Sequence, residues 1–300
     1  MEYLPFDERS MNVDVDATRR KVEKLAAEGR KPKLVVFGGS VFLFPHPVRE
    51  LSDYLKSMDI KVAYDGAHVL GLIAGGEFQD PLREGADVLM GSTHKTLPGP
   101  QGGVILSWEK YADQIKQAVF PSNVSNHHLH HVAGKAVAFA EMLAFGREYA
   151  SQVVRNARRL AEELAARGFK VLGEALGYTR SHQVVVDVVG QGGGMRVEKK
   201  LEASNIIVNR NLLPYDLREG RSYRDPGGIR MGVQEVTRLG MRESEMVEIA
   251  ELIARAVMKD EPAERVAADV AELRRGFNRV HYAFDSQLEA YKYVSFTKRP

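Results

Sequence analysis

The chain contains no cysteine. Thiol catalysis, a Cys-ligated zinc site and a disulfide framework are therefore excluded. It also lacks a long apolar run. The longest stretch, Leu34 to Pro45, is 12 residues with two glycines inside it, whereas a membrane-spanning helix needs about 20. An excess of one charge is missing too: 42 Lys and Arg against 40 Asp and Glu leave a formal charge of +2. So small an imbalance gives no field that points to nucleic acid or a membrane surface. The opening MEYLPFDERS is acidic and has no apolar core of the kind a signal peptide requires. There is no internal repeat and no low-complexity tract. What remains is ordinary globular composition, 44% apolar and 27% charged over 300 residues, enough for about two domains. The expectation is a soluble cytoplasmic α/β protein.

The first part of the chain alternates strand and helix patterns. Asp14 to Ala27 reads as a helix with an acidic start and Gly29 just past its end. KLVVFGG is a continuous apolar run of the kind a buried parallel strand shows. Helix PVRELSDYLKSM follows, then strands at Lys61 to Tyr64 and Ala86 to Met90, then GGVILS after a Gly/Pro-rich loop. This rhythm predicts a mainly parallel sheet with helices on its faces. From about residue 120 the character changes. A polar link leads into one long helical pattern ending at Gly168, followed by strand QVVVDVV, a flexible GQGGG, helix RVEKKLEAS, strands NIIVN and GGIRMG, and two closing helices. The expected division is 1–120 as a large domain, 121–168 as a linking or interface helix, and 169–300 as a smaller α+β domain. The final HYAFDSQLEAYKYVSFTKRP has weak periodicity and receives no assignment.

In parallel sheets, ligands bind beyond the carboxyl ends of the strands. Three polar clusters fall there: Gly38-Gly39-Ser40, Asp65-Gly66-Ala67-His68 and Ser92-Thr93-His94-Lys95. A lysine and an aspartate at neighbouring strand ends are what a pyridoxal phosphate enzyme requires. Lysine holds the aldehyde as a Schiff base, and aspartate keeps the pyridine nitrogen protonated so that the ring is an electron sink. Taken singly, each has a plainer reading. Asp65 could serve its own turn, Lys95 could be a solvated charge, and His68 and His94 could be structural. HHLHH at His127 to His131 invites a metal reading through the i, i+4 pair His127 and His131, but no Cys or HExxH pattern supports it. A polar interface segment is the reading kept. GPQGG lacks the phosphate-loop pattern because its lysine precedes the glycines.

DGAHVLGLIAGG and GSTHKTLPGPQGGVIL, with NIIVNRNLLPYD and GGIRMGVQEVTRLGM in the second half, resemble the motifs of serine hydroxymethyltransferases. The resemblance runs from about Phe6 to the last helices. It implies a fold-type I pyridoxal phosphate transferase that interconverts serine and glycine with a tetrahydropterin, folate or methanopterin, as one-carbon acceptor. It implies that Lys95 carries pyridoxal 5'-phosphate, Asp65 pairs with its pyridinium nitrogen and His68 lies near its phenolic oxygen. Ser40 takes the small-residue position near the ring, and Thr93 and His94 line the lysine's side of the pocket. Arg230 would grip the substrate carboxylate bidentately, and Asn209 would lie near the pterin.

The resemblance also marks departures. Gln101 stands where many members have arginine, and SNVSNHH where many have a glycine-rich phosphate-touching loop from the neighbouring subunit. Family members carry a segment before the point where this chain begins, including a ring-stacking histidine and phosphate-holding residues. Two other functions therefore stay open: a pyridoxal phosphate aldolase acting on 3-hydroxy amino acids, and a truncated, inactive partner subunit. The expected assembly is a homodimer, or a complex with a chain that supplies the segment. Uncovered sheet edges, weak cofactor retention and a tendency to associate are expected of the chain alone.

Overall fold

The computed structural model describes residues 1–293 and divides them between two compact units. One comprises residues 1–5, 13–150 and 282–293, the other residues 6–12 and 151–281.

In the first unit, α1 (Val15–Ala27) starts where Asp14 accepts the amide of Ala17 at 2.8 Å, which satisfies one of the donors a helix start leaves open. Its Val22 and Leu25 are buried. Then come β1 (Leu34–Gly38), α2 (Val48–Ser57), β2 (Lys61–Asp65), α3 (Leu70–Ala74), β3 (Val88–His94) and β4 (Pro98–Ser107). The sheet order is β1-β2-β3-β4. The first two pairings are parallel and the last is antiparallel. Gly38 stands opposite Asp65, and Asp65 opposite Met90, so the three parallel strands end at one rim.

Burial follows position in the sheet. The central β2 buries Val62, Ala63 and Tyr64 in succession, as a strand covered on both faces must. Asp87 is buried at the opposite end of this sheet, where its carboxylate accepts the Val62 amide and the Tyr111 hydroxyl, each at 2.9 Å. The outer strands differ. Leu34 and Val36 on β1 are 52% and 44% exposed, and Ile105 and Leu106 on β4 are 44% and 45% exposed. Adjacent strand residues point to opposite faces, so β4 leaves apolar surface open on both, and no further strand pairs with β1 or β4 among the described residues. After α4 (Ala112–Gln117) comes α5 (Leu129–Ala166), the expected long helix. The division between the units falls inside it, between Ala150 and Ser151.

The second unit holds an antiparallel sheet of β5 (Lys170–Val171), β6 (Gln183–Asp187), β7 (Asn209–Asn211) and β8 (Gly228–Gly232), in the order β5-β6-β8-β7. Its helices are α6 (Gly194–Ala203), α7 (Gln234–Arg238), α8 (Glu243–Val257) and α9 (Ala263–Arg275). Every residue of β6 is buried, and α8 adds Met246, Ala250 and Ile253 to the core.

Two local expectations are corrected here. The strand read at NIIVN lies further along, at Asn209–Asn211. Asn205 turns into the left-handed region at φ 60 to end α6, and Ile207 is 77% exposed instead of paired. GQGGG is an ordered turn rather than a flexible loop: it forms a short 3₁₀ turn at Val189–Gln191, and Gly194 opens α6. A β-carbon at Gly194 would lie 2.3 Å from the carbonyl oxygen of Gly228, so glycine is there for close helix–strand packing. No helix among the described residues is long and apolar enough to cross a membrane.

Candidate active site

The lysine segment and the aspartate segment are joined by a set of short hydrogen bonds. Asp65 ends β2, and its Oδ1 accepts the amide of Ala67 at 3.0 Å. This Asx turn sends the chain away from the sheet toward α3. Ser92 Oγ on β3 donates to the Ala67 carbonyl at 3.0 Å. Thr96, wholly buried, donates from Oγ1 to the His68 carbonyl at 2.8 Å and accepts the Gly71 amide at 3.0 Å. The Thr96 carbonyl in turn accepts the Tyr149 hydroxyl at 2.9 Å. Lys95 therefore lies between two residues, Ser92 and Thr96, that both grip the 65–71 segment.

Gly71 explains how the two segments come so close. A β-carbon there would lie 2.2 Å from the Thr96 carbonyl oxygen and 2.7 Å from the Leu97 amide nitrogen. Such distances are well inside van der Waals contact, so only a residue without a side chain lets α3 pack on the lysine loop. Gly38 meets the same requirement on the other side of Asp65. Its φ is +95, and a β-carbon would lie 2.1 Å from the Asp65 carbonyl oxygen.

The individual side chains fall as follows. Lys95 is half-buried in the bend after β3 and makes no hydrogen bond or ion pair among the described residues. Thr93 is buried, and its Oγ1 donates to the Pro100 carbonyl at 2.8 Å, which closes the β3–β4 turn. His94 is exposed, with Nδ1 accepting the Gly102 amide at 3.4 Å. His68 is half-buried, and Ser40 is exposed just past the Gly38–Gly39 turn. In the second unit, Arg230 and Asn209 are register partners on β8 and β7, and Arg230 Nη2 donates to Asn209 Oδ1 at 3.1 Å. Burial pulls the Arg230 guanidinium below its ordinary pKa. Gln101 is exposed. The rings of His128, His130 and His131 lie 4.4–5.6 Å apart, but no group of three or more metal-ligating side chains among the described residues could hold an ion.

A cavity of about 1450 Å³ adjoins the rim, lined among others by Asp65, Ala67, Ser92, Gly102 and Phe120. Lys95 and His68 are not on its wall. Asp65 Oδ2 has no hydrogen-bond partner among the described residues, so one carboxylate oxygen is held by the turn and the other is left for a cationic group. Cofactor pockets are typically about 300–1,000 Å³, so the space is ample for a substituted pyridine. The open Asp65 oxygen on the cavity wall suits a protonated pyridine nitrogen, and Lys95, unpaired among the described residues, follows the neighbouring strand end as the amine pyridoxal phosphate needs, although it does not line this cavity.

The family model described as serine hydroxymethyltransferase matches residues 3–253. The chain belongs to the serine hydroxymethyltransferase family. It is 56% identical over 294 residues to the serine hydroxymethyltransferase of Cenarchaeum symbiosum, covering 98% of this chain and 67% of the relative. Identity to the Methanothermobacter thermautotrophicus enzyme of the same name is also 56%, over 290 residues, covering 97% of this chain and 66% of the relative. A solved structure of L-threonine transaldolase from Pseudomonas fluorescens, in its internal aldimine state, superposes with a TM-score of 0.84 at 33% identity, covering 97% of this chain and 66% of that one. The fold is that of the fold-type I pyridoxal phosphate enzymes, and pyridoxal phosphate is the family's cofactor. The chain spans about two thirds of the length of these family members.

Thr96 and Tyr149 act as supports that sequence reasoning alone does not identify. Thr96 lies inside the THKTL motif, which was the available signal. Tyr149 lies 53 residues from its partner, and nothing local announces it.

Proposed function

We propose that this chain acts with pyridoxal phosphate to move the hydroxymethyl carbon of serine to a tetrahydropterin, leaving glycine, and to run the reverse transfer. The observation that carries the reading is the bonded junction at Ser92, Thr96 and Gly71, which sets the Lys95 loop against the Asp65 turn. When bound, pyridoxal phosphate supplies an electron sink for the pair left on the α-carbon as the Cα–Cβ bond breaks.

The residues have distinct tasks. The Lys95 amine holds the coenzyme aldehyde, and no carboxylate partner among the described residues competes for it. Asp65 uses its open oxygen to keep a proton on the ring nitrogen, while the Ala67 amide fixes its orientation. His68 and Ser40 flank the ring, and Thr93 and His94 shape the lysine's side of the pocket. Arg230, its fork oriented by Asn209, takes the amino-acid carboxylate through paired charge-assisted hydrogen bonds. Asn209 also lies near the pterin. The working form is a homodimer or a complex with a chain that supplies further site residues, located in the cytoplasm.

The test is glycine formation from serine by the cofactor-loaded chain, with tetrahydrofolate, with tetrahydromethanopterin and with neither. Pterin-dependent glycine supports the transfer. Cleavage of 3-hydroxy amino acids at one rate with and without pterin replaces it with an aldolase. No turnover under any condition overturns the activity for this chain.

A further inference from the structure

The carboxyl ends of β1 and β2 are gripped from behind by four side chains that the transfer reaction does not use. The Gly38 amide donates to His46 Nδ1 at 3.2 Å. The chain turns sharply here, with φ +95 at Gly38 and φ +141 at Gly39, and Ser40 follows at once. The last amide of β1 is thus held by an imidazole at the point where the strand leaves the sheet.

His46 is itself locked. Its amide donates to Gln79 Oε1 at 2.7 Å, and its carbonyl accepts from Gln79 Nε2 at 2.9 Å. Gln79 Oε1 also accepts the Tyr64 hydroxyl at 2.7 Å, and Nε2 also donates to Glu84 Oε2 at 2.6 Å. A primary amide offers two acceptor sites and two donors, and Gln79, buried, uses all four. The pattern fixes which way the amide faces. Glutamate of the same shape would set an acceptor against the His46 carbonyl and the Glu84 carboxylate. Tyr64 directly precedes Asp65, so the cluster reaches both chain segments at the rim, Gly38 through His46 and Asp65 through Tyr64.

The imidazole is packed among aromatic rings, 4.8 Å from Phe42 and 6.4 Å from both Phe37 and Tyr64. To accept from Gly38, Nδ1 must carry no proton. Burial pushes the His46 pKa down to about 4, so the ring is neutral at about pH 7, and accepting the Gly38 amide selects the tautomer whose proton is on Nε2.

We propose that His46, held by Gln79, is a positioning residue that sets the Gly38–Gly39–Ser40 turn against Asp65 and so fixes the rim of the cofactor site beside that carboxylate. The inference rests on the reading of Asp65 and Ser40 as cofactor neighbours. It adds a support, joining two residues 33 positions apart, to the part of the site that carries no lysine.

The test pairs amide hydrogen exchange of the chain without cofactor with a pyridoxal phosphate titration of the same preparations. His46→Phe keeps an aromatic ring and removes the acceptor. His46→Asn keeps a short acceptor near the place of Nδ1. In His46→Phe, exchange at Gly38–Ser40 should rise about tenfold and cofactor affinity should fall about tenfold, the change expected for one net hydrogen bond. Exchange at Val88–Leu89 should not change, which shows that the fold is kept. His46→Asn should recover most of both effects. Unchanged exchange at Gly38–Ser40 overturns the proposal, as does exchange that rises equally at Val88–Leu89. A rise confined to the turn with undiminished cofactor affinity also overturns it. Wild-type chain that binds no cofactor, with the turn still loosened in His46→Phe, overturns the cofactor-site reading and the positioning role with it.

Discussion

Replacing Gly71 with alanine separates two opposite expectations. Gly71 lies within α3, and in an exposed helix interior glycine to alanine stabilises by up to about 1 kcal/mol. At this position the added β-carbon would lie 2.2 Å from the Thr96 carbonyl oxygen, 2.4 Å from its carbonyl carbon and 2.7 Å from the Leu97 nitrogen. All three are backbone atoms, so no rotamer change relieves the contact. Helix and loop must part, and the buried hydrogen bond from the Gly71 amide to Thr96 Oγ1 is stretched as they do. Overpacking of this kind costs typically about 1–3 kcal/mol. With rigid neighbours the upper end applies, which leaves a net loss of about 2 kcal/mol after the helix gain. For a chain of this size that lowers the melting midpoint by roughly 3 °C. Because the displaced atoms directly follow Lys95, cofactor binding should weaken as well. Gly190→Ala is the control: no atom lies within 4 Å of the added carbon, and the change should stay within about 0.5 kcal/mol. Thermal melts of both variants, read beside the visible band of the bound cofactor, decide the matter. A Gly71→Ala chain that melts at or above the wild type with cofactor binding intact would refute the close approach on which the site is built.

Three further outcomes are expected. Thr96→Val removes the bridge between His68 and Gly71 while keeping the shape. It should cost about 1–3 kcal/mol in urea melts, with Thr96→Ser near wild type; equal stability of all three would show that the bridge contributes nothing. Lysine at Ile105 or Leu106 should reduce self-association of the chain in sedimentation runs, because charge on an open apolar strand opposes edge pairing; unchanged association would place the contact elsewhere. Neutral His46 should also give a pH signature. Its folded pKa lies below the ordinary 6.5, at about 4, so the unfolded chain takes up the proton first. That contribution is fully present above pH 6.5 and is lost as pH falls from 6.5 toward 4. The loss is on the order of 3 kcal/mol at most. His46→Asn should have a shallower decline in unfolding free energy over this range, and parallel declines would contradict the assignment.

The parts of the fold legible in the sequence were those set by local pattern. The apolar run at Val62–Tyr64 marks a strand covered on both faces, and Asp14 before an amphipathic stretch marks the start of a helix. Candidate site groups can be read from the sequence where they sit close together, as in DGAH and STHK, and the fold joins those two segments by hydrogen bonds. Features that depend on what packs against them were not. Gly194 looked like part of a flexible loop because its reason, the Gly228 carbonyl, lies 34 residues away in another element. Ile206 to Val208 have strand-like composition, but the left-handed Asn205 turns the chain before pairing begins. His46 and Gln79 lie outside every motif, and each looks ordinary until the fold brings them together.

The most direct measurement is a visible absorption titration of the purified chain with pyridoxal phosphate, run beside Lys95→Ala and Asp65→Ala. The wild type should gain the band of lysine-bound coenzyme, Lys95→Ala should gain none, and Asp65→Ala should hold the coenzyme more weakly. Identical spectra for the wild type and Lys95→Ala would show that another amine, or none, carries the coenzyme.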